Sequence, residues 1–369
     1  MISICIITRN EAEKLKKCLE AIRKNCDTEQ VEIVVVDTGS TDDSIAVAKT
    51  FTEQVYTFSW CNDFSAARNF CIDRASGEYI LSLDTDEYIT SMDWEKLQQL
   101  CHQYPKAVGR LNIRNLTGSG NEAGLSSEKV NRFFSKEMYC FTGTIHEQVT
   151  ARLTHMDDLE RTDETVAGNE EFSTYDLPIT VDHDGYQGTP QQLQEKAKRN
   201  INLLKSRLER ARDPYILYQT GKSYYMIHDY DKACMYFEEA TTFDLDPRLE
   251  YVRDLINSYG YTLLNTRQYE KALFFENIYQ EFGKSADFQF LMGLIYMNNA
   301  RFEDAIQEFE KATCHEECVI EGVNSYKAFY NIGVIYECLG KTQEALFNYR
   351  KCGSYALAKK RIEALKNGM

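Results

Sequence analysis

Short apolar runs alternate with amphipathic stretches through the first ninety residues. Ile2–Ile7 is an apolar run of strand length, and residues 11–24 place Ala12, Leu15, Cys18, Leu19 and Ile22 on one side at helical spacing. Asn10 is expected to cap that helix, with Glu13 closing a capping-box pair three positions on. Val31–Val36 predicts a second buried strand. The polar turn Asp37–Asp43 follows, then a short helix through Ile45, Val47 and Ala48 with Asp42 and Asp43 in its first turn, where the helix dipole favours anions. Val55–Phe58 predicts a third strand, Phe64–Ile72 a helix, and Glu78–Leu83 a fourth strand ending in Asp84-Thr85-Asp86-Glu87. Strands buried on both faces and separated by helices imply a mostly parallel sheet covered on both sides. Ligands of such sheets bind outside the carboxyl ends of the strands. The polar clusters Thr8-Arg9-Asn10, Asp37, and Asp84 with Asp86 all fall there.

From about residue 190 the strand pattern gives way to a helical repeat. Gly221, Tyr224, Ala233, Phe237 and Ala240 recur as Gly293, Tyr296, Ala305, Phe309 and Ala312, and again as Gly333, Tyr336, Ala345, Tyr349 and Cys352. A degenerate copy holds Gly260 and Ala272. Gly-to-Gly steps of 39, 33 and 40 residues bracket the period of about 34 that marks tetratricopeptide repeats. Small residues let paired helices approach closely while the aromatics fill between them. The chain therefore divides into an α/β domain over residues 1–189, a Lys/Arg/Leu-rich bridging helix over 190–212, and an all-α repeat domain over 213–369. Met156–Asp176, polar and acidic with no clear period, reads as a solvated loop or flap.

Composition narrows the function classes. The formal charge of −15 argues against a nucleic-acid partner, which needs clustered Lys and Arg. No run approaches the roughly 18–20 apolar residues that span a bilayer, and the start lacks the basic n-region of a signal peptide. A cytoplasmic address and no integral membrane segment are expected. Twelve scattered cysteines read as reduced core residues. Cys314-His315-Glu316-Glu317-Cys318 lacks a second Cys or His pair at zinc-site spacing and reads as a loop between repeat helices.

The turn after the first strand, Thr8-Arg9-Asn10-Glu11, holds no glycine, so the Gly-x-Gly-x-x-Gly of dinucleotide folds is absent, and no Gly-Lys-Ser/Thr phosphate loop occurs. Asp37 suits a ribose or base. Asp84 and Asp86 can share one hard divalent cation that keeps positions open for phosphate oxygens. Taken alone, Asp-x-Asp is an ordinary polar turn; its place after a buried strand gives it weight.

Four segments in order, Ile6-Ile7-Thr8-Arg9-Asn10-Glu11, Val35-Val36-Asp37-Thr38-Gly39-Ser40-Thr41-Asp42, Ala67-Arg68-Asn69 and Leu83-Asp84-Thr85-Asp86-Glu87, resemble the family 2 glycosyltransferases of the GT-A fold. Arg132-Phe133-Phe134, Gly143–Val149 with His146-Glu147, and His183-Asp184-Gly185-Tyr186 extend the likeness. The resemblance implies a Rossmann-like, mixed and mostly parallel sheet, a nucleotide-diphosphate sugar donor such as UDP-hexose or UDP-N-acetylhexosamine, a Mg²⁺ or Mn²⁺ ion, and inversion at the anomeric carbon. Carried over, it has Thr8, Asn10, Asp37 and Arg68 line the nucleotide site, with Asp84 near the ribose or sugar. Asp86 holds the metal, shared with Asp84 and completed by His183. Glu147 is the candidate base for the acceptor, and His146 a rival base or orienting partner. The order of a family 2 domain before tetratricopeptide repeats resembles the sublancin-type peptide S-glycosyltransferases, implying a peptide or protein acceptor and a homodimer. The competing expectations are a transferase building a cell-surface glycan, and a catalytically inactive scaffold.

Overall fold

The structure is a computed structural model that describes residues 1–26, 30–117, 124–152, 172–184 and 190–367. Contacts divide the chain into two compact units, drawn chiefly from residues 1–192 and 207–369.

The first unit alternates as expected through β1 (Ile2–Thr8), α1 (Ala12–Asn25), β2 (Val31–Asp37), α2 (Ser44–Lys49), β3 (Val55–Thr57), α3 (Phe64–Arg74) and β4 (Tyr79–Leu83). It continues with β5 (Glu87–Met92), α4 (Trp94–Gln103), β6 (Val108–Thr117), β7 (Gly124–Ser135), β8 (Tyr139–Thr142), β9 (Gln148–Ala151) and β10 (Thr174–His183). Eight strands form one sheet in the order β3-β2-β1-β4-β7-β6-β10-β5, and β8 pairs with β9 apart from it. β3, β2, β1 and β4 run parallel, while β7 runs antiparallel to β4 and β5 antiparallel to β10. β6 and β10 also run parallel, so the sheet is mixed and mostly parallel, as expected.

Burial on both faces explains the apolar runs. Ile4, Ile6, Val35, Leu81 and Leu83 pack with Leu15, Cys18, Leu19 and Ile22 of α1. Their alternates Cys5, Val34, Val36 and Ile80 pack with Cys71 and Ile72 of α3. The parallel register sets Thr8 beside Asp37 and Ile6 beside Leu83, so the first polar residues after β1, β2 and β4 emerge at one sheet edge.

Three local expectations change. Asn10 does not cap α1: Glu11 stands at that position without a side-chain bond, and Asn10 is turned by a φ of 55° so that its Oδ1 accepts the Thr41 N–H at 2.7 Å. The start of α1 is satisfied from the next loop, where Asp42 accepts the Ala12 N–H at 3.0 Å and Ser44 Oγ the Glu11 N–H at 3.1 Å. Asp42 and Asp43 therefore precede α2 rather than lying in its first turn, and Asp42 serves α1. Thr174–Asp176, expected within a solvated loop, belong to β10, whose Tyr175, Leu177, Ile179 and Val181 are buried in alternation; most of the rest of that loop lies outside the described residues.

Helix α5 (Pro190–Leu208) covers most of the expected bridging segment. The second unit is helical: α6 (Pro214–Met226), α7 (Tyr230–Ala240), α8 (Glu250–Asn265), α9 (Tyr269–Ala272), a 3₁₀ segment over Leu273–Ile278, α10 (Tyr279–Phe282), α11 (Ala286–Asn298), α12 (Phe302–Ala312), α13 (Tyr326–Cys338), α14 (Thr342–Lys351) and α15 (Ala356–Asn367). The repeat spacing has a steric meaning. A Cβ on Gly221, Gly293 or Gly333 would lie 2.5–2.6 Å from the ring of Phe237, Phe309 or Tyr349, the residue sixteen positions on. In the degenerate copy that position is Glu276, and there the second helix is interrupted by the 3₁₀ segment that buries Phe275 instead. Between α12 and α13, His315 Nε2 meets Gln289 at 3.0 Å and Cys318 Sγ meets Asn324 at 3.4 Å, so the Cys-His-Glu-Glu-Cys segment is a repeat connection. No helix among the described residues is long and apolar enough to cross a membrane.

Replacing Gly293 by Val forces the Phe309 ring out of its seat and is expected to destabilise the repeat unit by about 1–3 kcal/mol. Urea unfolding followed by circular dichroism measures this; an unchanged midpoint would show that the contact does not limit packing.

Candidate active site

The loops after β1 and β2 are stitched together. Thr38 donates its N–H and Oγ–H to the Thr8 carbonyl at 2.9 and 3.0 Å, and Asn10 N–H donates to Ser40 Oγ at 2.9 Å. Asp37, only 1% exposed, accepts the Gly39 N–H at 2.9 Å and the Ser40 N–H at 3.0 Å. Asn10 and Asp37, both expected to line a nucleotide site, thus spend side-chain oxygens on shaping that loop. Gly39, at φ 105°, makes the turn possible. Beside them the buried Thr8 hydroxyl has no hydrogen-bond partner among the described residues, an uncommon state for a polar group in a folded core.

Ala67-Arg68-Asn69 occupies the second turn of α3, and each residue has its own task. Ala67 is fully buried in the core. Asn69 accepts the Phe141 N–H at 2.9 Å and donates to the Phe141 carbonyl at 2.8 Å, pairing with β8 as a neighbouring strand would. Arg68, 4% exposed, donates Nε to Glu147 Oε1, Nη1 to Ser82 Oγ at 2.9 Å and Nη2 to Asp84 Oδ1 at 2.6 Å. One guanidinium therefore joins β4, α3 and the loop between β8 and β9. That loop turns through Gly143 at φ 96° and His146 at φ 51°, and its Thr144 carbonyl accepts the Phe64 N–H at 2.9 Å. Burial works against the charge of Arg68, but Asp84 and Glu147 outweigh it and raise its pKa.

Asp84 is gripped from the other side by Arg132 of β7 at 3.0 Å, a placement that follows from Phe133 pairing with Leu81. Burial would raise the Asp84 pKa, yet Arg68 and Arg132 hold it well below the usual carboxylate range. Glu87 behaves oppositely. Burial pushes its carboxyl up to about 7, with Arg132 pulling it down and Asp84 adding to the rise.

Asp86 points into a different environment. The antiparallel register of β5 and β10 sets His183 across from Glu87, which brings His183 Nε2 to 3.6 Å from Asp86 Oδ1. His183 Nδ1 lies 2.7 Å from Asn115 Oδ1, and Asn115 Nδ2 donates to Glu128 at 2.8 Å. Oδ1 can only accept, so Nδ1 carries the hydrogen and the lone pair of neutral His183 sits on Nε2. Nε2 therefore faces Asp86 Oδ1 across 3.6 Å, as a lone pair when the ring is neutral and as an N–H when it is charged. Lys14 of α1 approaches Asp86 Oδ2 at 3.4 Å and Asp184 Oδ1 at 3.6 Å. Burial disfavours the Lys14 charge, but Asp86, Asp184 and Glu11 raise its pKa.

Of the three side chains expected around a cation, the structure brings Asp86 and His183 together and gives Asp84 to two arginines. Among the described residues no cluster of three His, Cys, Asp or Glu side chains could by itself hold a metal. Arg68 and Glu147, expected in separate roles, are in direct contact. Lys14, Arg132, Asp184 and Asn115 were not anticipated as site residues; of these, only Arg132 and Asp184 fell within the segments that carry the family likeness.

Residues 3–161 match the family model described as "Glycosyl transferase family 2". Residues 215–242, 286–313 and 326–356 match tetratricopeptide-repeat models. The chain carries a family 2 glycosyltransferase domain followed by tetratricopeptide repeats. Among curated relatives, the SPbeta prophage-derived glycosyltransferase SunS of Bacillus subtilis is 26% identical over 243 residues, covering 64% of this chain and 52% of the relative. A TPR repeat-containing protein of Synechococcus elongatus is 38% identical over 119 residues, 32% of this chain and 28% of that protein. The chain thus spans about half or less of the length of these relatives. Among solved structures, S. aureus TarS 1-349 aligns over 85% of this chain and 92% of its own at 12% identity and a TM-score of 0.36, so the fold rests on the topology described above.

Within the glycosyltransferase domain, Thr8→Val exchanges the orphan hydroxyl for a methyl of the same shape. Unfolding free energy is expected to stay level or rise by up to about 1 kcal/mol. A clear loss of stability in urea would reveal a structural partner for that hydroxyl.

Proposed function

We propose that this chain is an inverting glycosyltransferase that moves a sugar from a nucleotide-diphosphate donor, a UDP-hexose or UDP-N-acetylhexosamine, to a peptide or protein side chain, assisted by Mg²⁺ or Mn²⁺. The observation that carries the reading is the carboxylate of Asp86 and the imidazole of His183, with Oδ1 and Nε2 brought within 3.6 Å at the carboxyl edge of the sheet. The Nδ1–H of His183 is already engaged by a side-chain carbonyl, the arrangement that orients metal-ligating histidines. Asp86 and His183 would hold the cation, with the remaining positions left to water and the diphosphate, as suits hard cations that bind through substrate phosphates. Such a cation would neutralise the charge that gathers on the departing diphosphate.

The charge balance points the same way. Asp84, Asp86, Glu87, Glu147 and Asp184 gather against Lys14, Arg68 and Arg132. An anionic donor entering such a site gains from added positive charge.

The reaction needs a proton acceptor on the face opposite the leaving group. Glu147 fills that role: Arg68 fixes Oε1, and Oε2 remains to take the acceptor's hydroxyl or thiol proton as its oxygen or sulfur bonds the anomeric carbon and the nucleotide diphosphate leaves. Arg68 positions Glu147 and Asp84 on either side of one guanidinium. Thr8 offers its unpartnered hydroxyl to the donor's nucleotide. The peptide acceptor is supported by the domain order and by the matched repeats. His146, at positive φ beside Glu147, serves to shape the loop.

A panel of nucleotide sugars with manganese, scored for released nucleotide diphosphate, tests the reading. Asp86→Asn is expected to abolish release while leaving the circular dichroism spectrum intact, and full turnover in that variant would remove the metal from the mechanism. Glu147→Gln should lower turnover by about 10²-fold or more with donor affinity little changed. Thr8→Val, by contrast, should weaken donor binding by several-fold, about the worth of one hydrogen bond, with little effect on turnover at saturation.

A further inference from the structure

Asp86 meets positive or protonatable groups at both oxygens: Oδ1 faces His183 Nε2 at 3.6 Å and Oδ2 faces Lys14 Nζ at 3.4 Å. Lys14 also reaches Asp184, whose placement is determined by two other bonds. The Asp184 N–H donates to the Asp86 carbonyl at 3.2 Å, and Tyr88 donates its hydroxyl hydrogen to Asp184 Oδ2 at 3.0 Å. Asp184 Oδ1 is thereby directed to the ammonium at 3.6 Å. The two carboxylate side chains are 10% and 19% exposed, against 34% for Lys14. Two carboxylates this close and this screened from water repel each other unless a cation lies between them.

A lysine on the first turn of α1 is an unusual solution, because the helix dipole there favours anions. Glu13 takes the favourable sign in that turn, whereas Lys14 sets its charge against the dipole and over Asp86 and Asp184. The ammonium and a divalent ion are alternative answers to the same repulsion, and both cannot sit on Asp86 at full strength.

We infer that Lys14 is a tethered counter-ion that competes with the divalent cation for Asp86: it holds the Asp86–Asp184 pair in the donor-free protein and is displaced toward the donor's diphosphate when the cation binds. This rests on the reading of Asp86 as the cation's carboxylate. It makes the cation affinity of the free protein low by construction and couples cation binding to donor binding, since the displaced ammonium has an anionic diphosphate to turn to.

Mn²⁺ binding to the full chain without donor, followed by the electron paramagnetic resonance of free Mn²⁺, tests the inference without using turnover. Lys14→Gln is expected to bind Mn²⁺ about tenfold more tightly than wild type, the size of a partly screened charge removed at this distance. Lys14→Arg, which keeps the charge, should stay within about twofold of wild type. Asp86→Asn is the control that should lose the site. If Lys14→Gln binds Mn²⁺ no more tightly than wild type while Asp86→Asn has lost binding, the competition is overturned and the cation reading stands. If Asp86→Asn binds Mn²⁺ as wild type does, the cation reading fails and the inference with it. Circular dichroism of each variant confirms that the comparison is between folded proteins.

Discussion

A guanidinium sealed at 4% exposure needs its charge answered on every side. Arg68 is answered by Asp84 at the end of β4, by Ser82 within it, and by Glu147 on the loop between β8 and β9. Removing one member of such a buried set typically costs about 3–5 kcal/mol, because the charges left behind have lost water as well as their partner. The active-site edge is therefore constrained from within. Asp84 and Glu147, 63 positions apart in sequence, are oriented by the same planar group, and its fork geometry allows little freedom in how they face each other. Asn69 on the next position extends the constraint to β8 by imitating a strand partner. The short Ala-Arg-Asn motif is thus a bracket that mounts a hairpin carrying one carboxylate against a strand carrying another.

The Asp-x-Asp segment shows how one motif yields two chemistries. Asp84 turns toward Arg68 and Arg132 and is locked as a carboxylate far below its usual pKa. Asp86, two residues on, turns toward His183 and Lys14, which approach its two oxygens at 3.6 and 3.4 Å. Environments that push like groups apart are how an active site assigns different work to identical side chains. Of the two aspartates expected to share a cation, Asp84 is the one to which strand pairing brings a second arginine. Arg132 lies on β7, and only the antiparallel addition of β7 beside β4 puts it there.

That contrast marks what could be read from the chain. β1, β2 and β4 were legible because central parallel strands are buried on both faces and appear as apolar runs, and β3, the edge strand, as a short apolar stretch beside them. The remaining strands of the sheet were not. β10 does alternate, with Tyr175, Leu177, Ile179 and Val181 inward, but Pro178 and the acidic residues around it resemble a loop. The site residues missed have the same origin. Asn115, Glu128 and Arg132 reach the site through strand order, and Lys14 through the packing of α1; none of these proximities is local in sequence. Asn10 and Asp37 were visible as polar residues at strand ends, but spacing does not say whether a side chain serves a ligand or its own loop. Here both side chains bond the loop.

The repeat unit teaches the complementary lesson, since there a steric rule is nearly local. In three copies a Cβ on the first-helix Gly would come within 2.5–2.6 Å of the aromatic ring sixteen residues later, closer than real Cβ contacts allow. Where Glu276 replaces the aromatic, the helix winds into a 3₁₀ segment that buries Phe275, and the glutamate bonds Tyr296 at 3.0 Å and Arg301 at 2.7 Å. The space against Gly260 is filled by Leu291 of α11, which a Cβ there would strike, while Phe275 packs against Tyr259 and Phe288. In the first unit too the backbone leaves its commonest forms near buried groups, at Pro178 within β10 and at positive φ in His146 beside Glu147. In both units the sequence departs from local preference where a buried group, apolar or ionic, has to be matched.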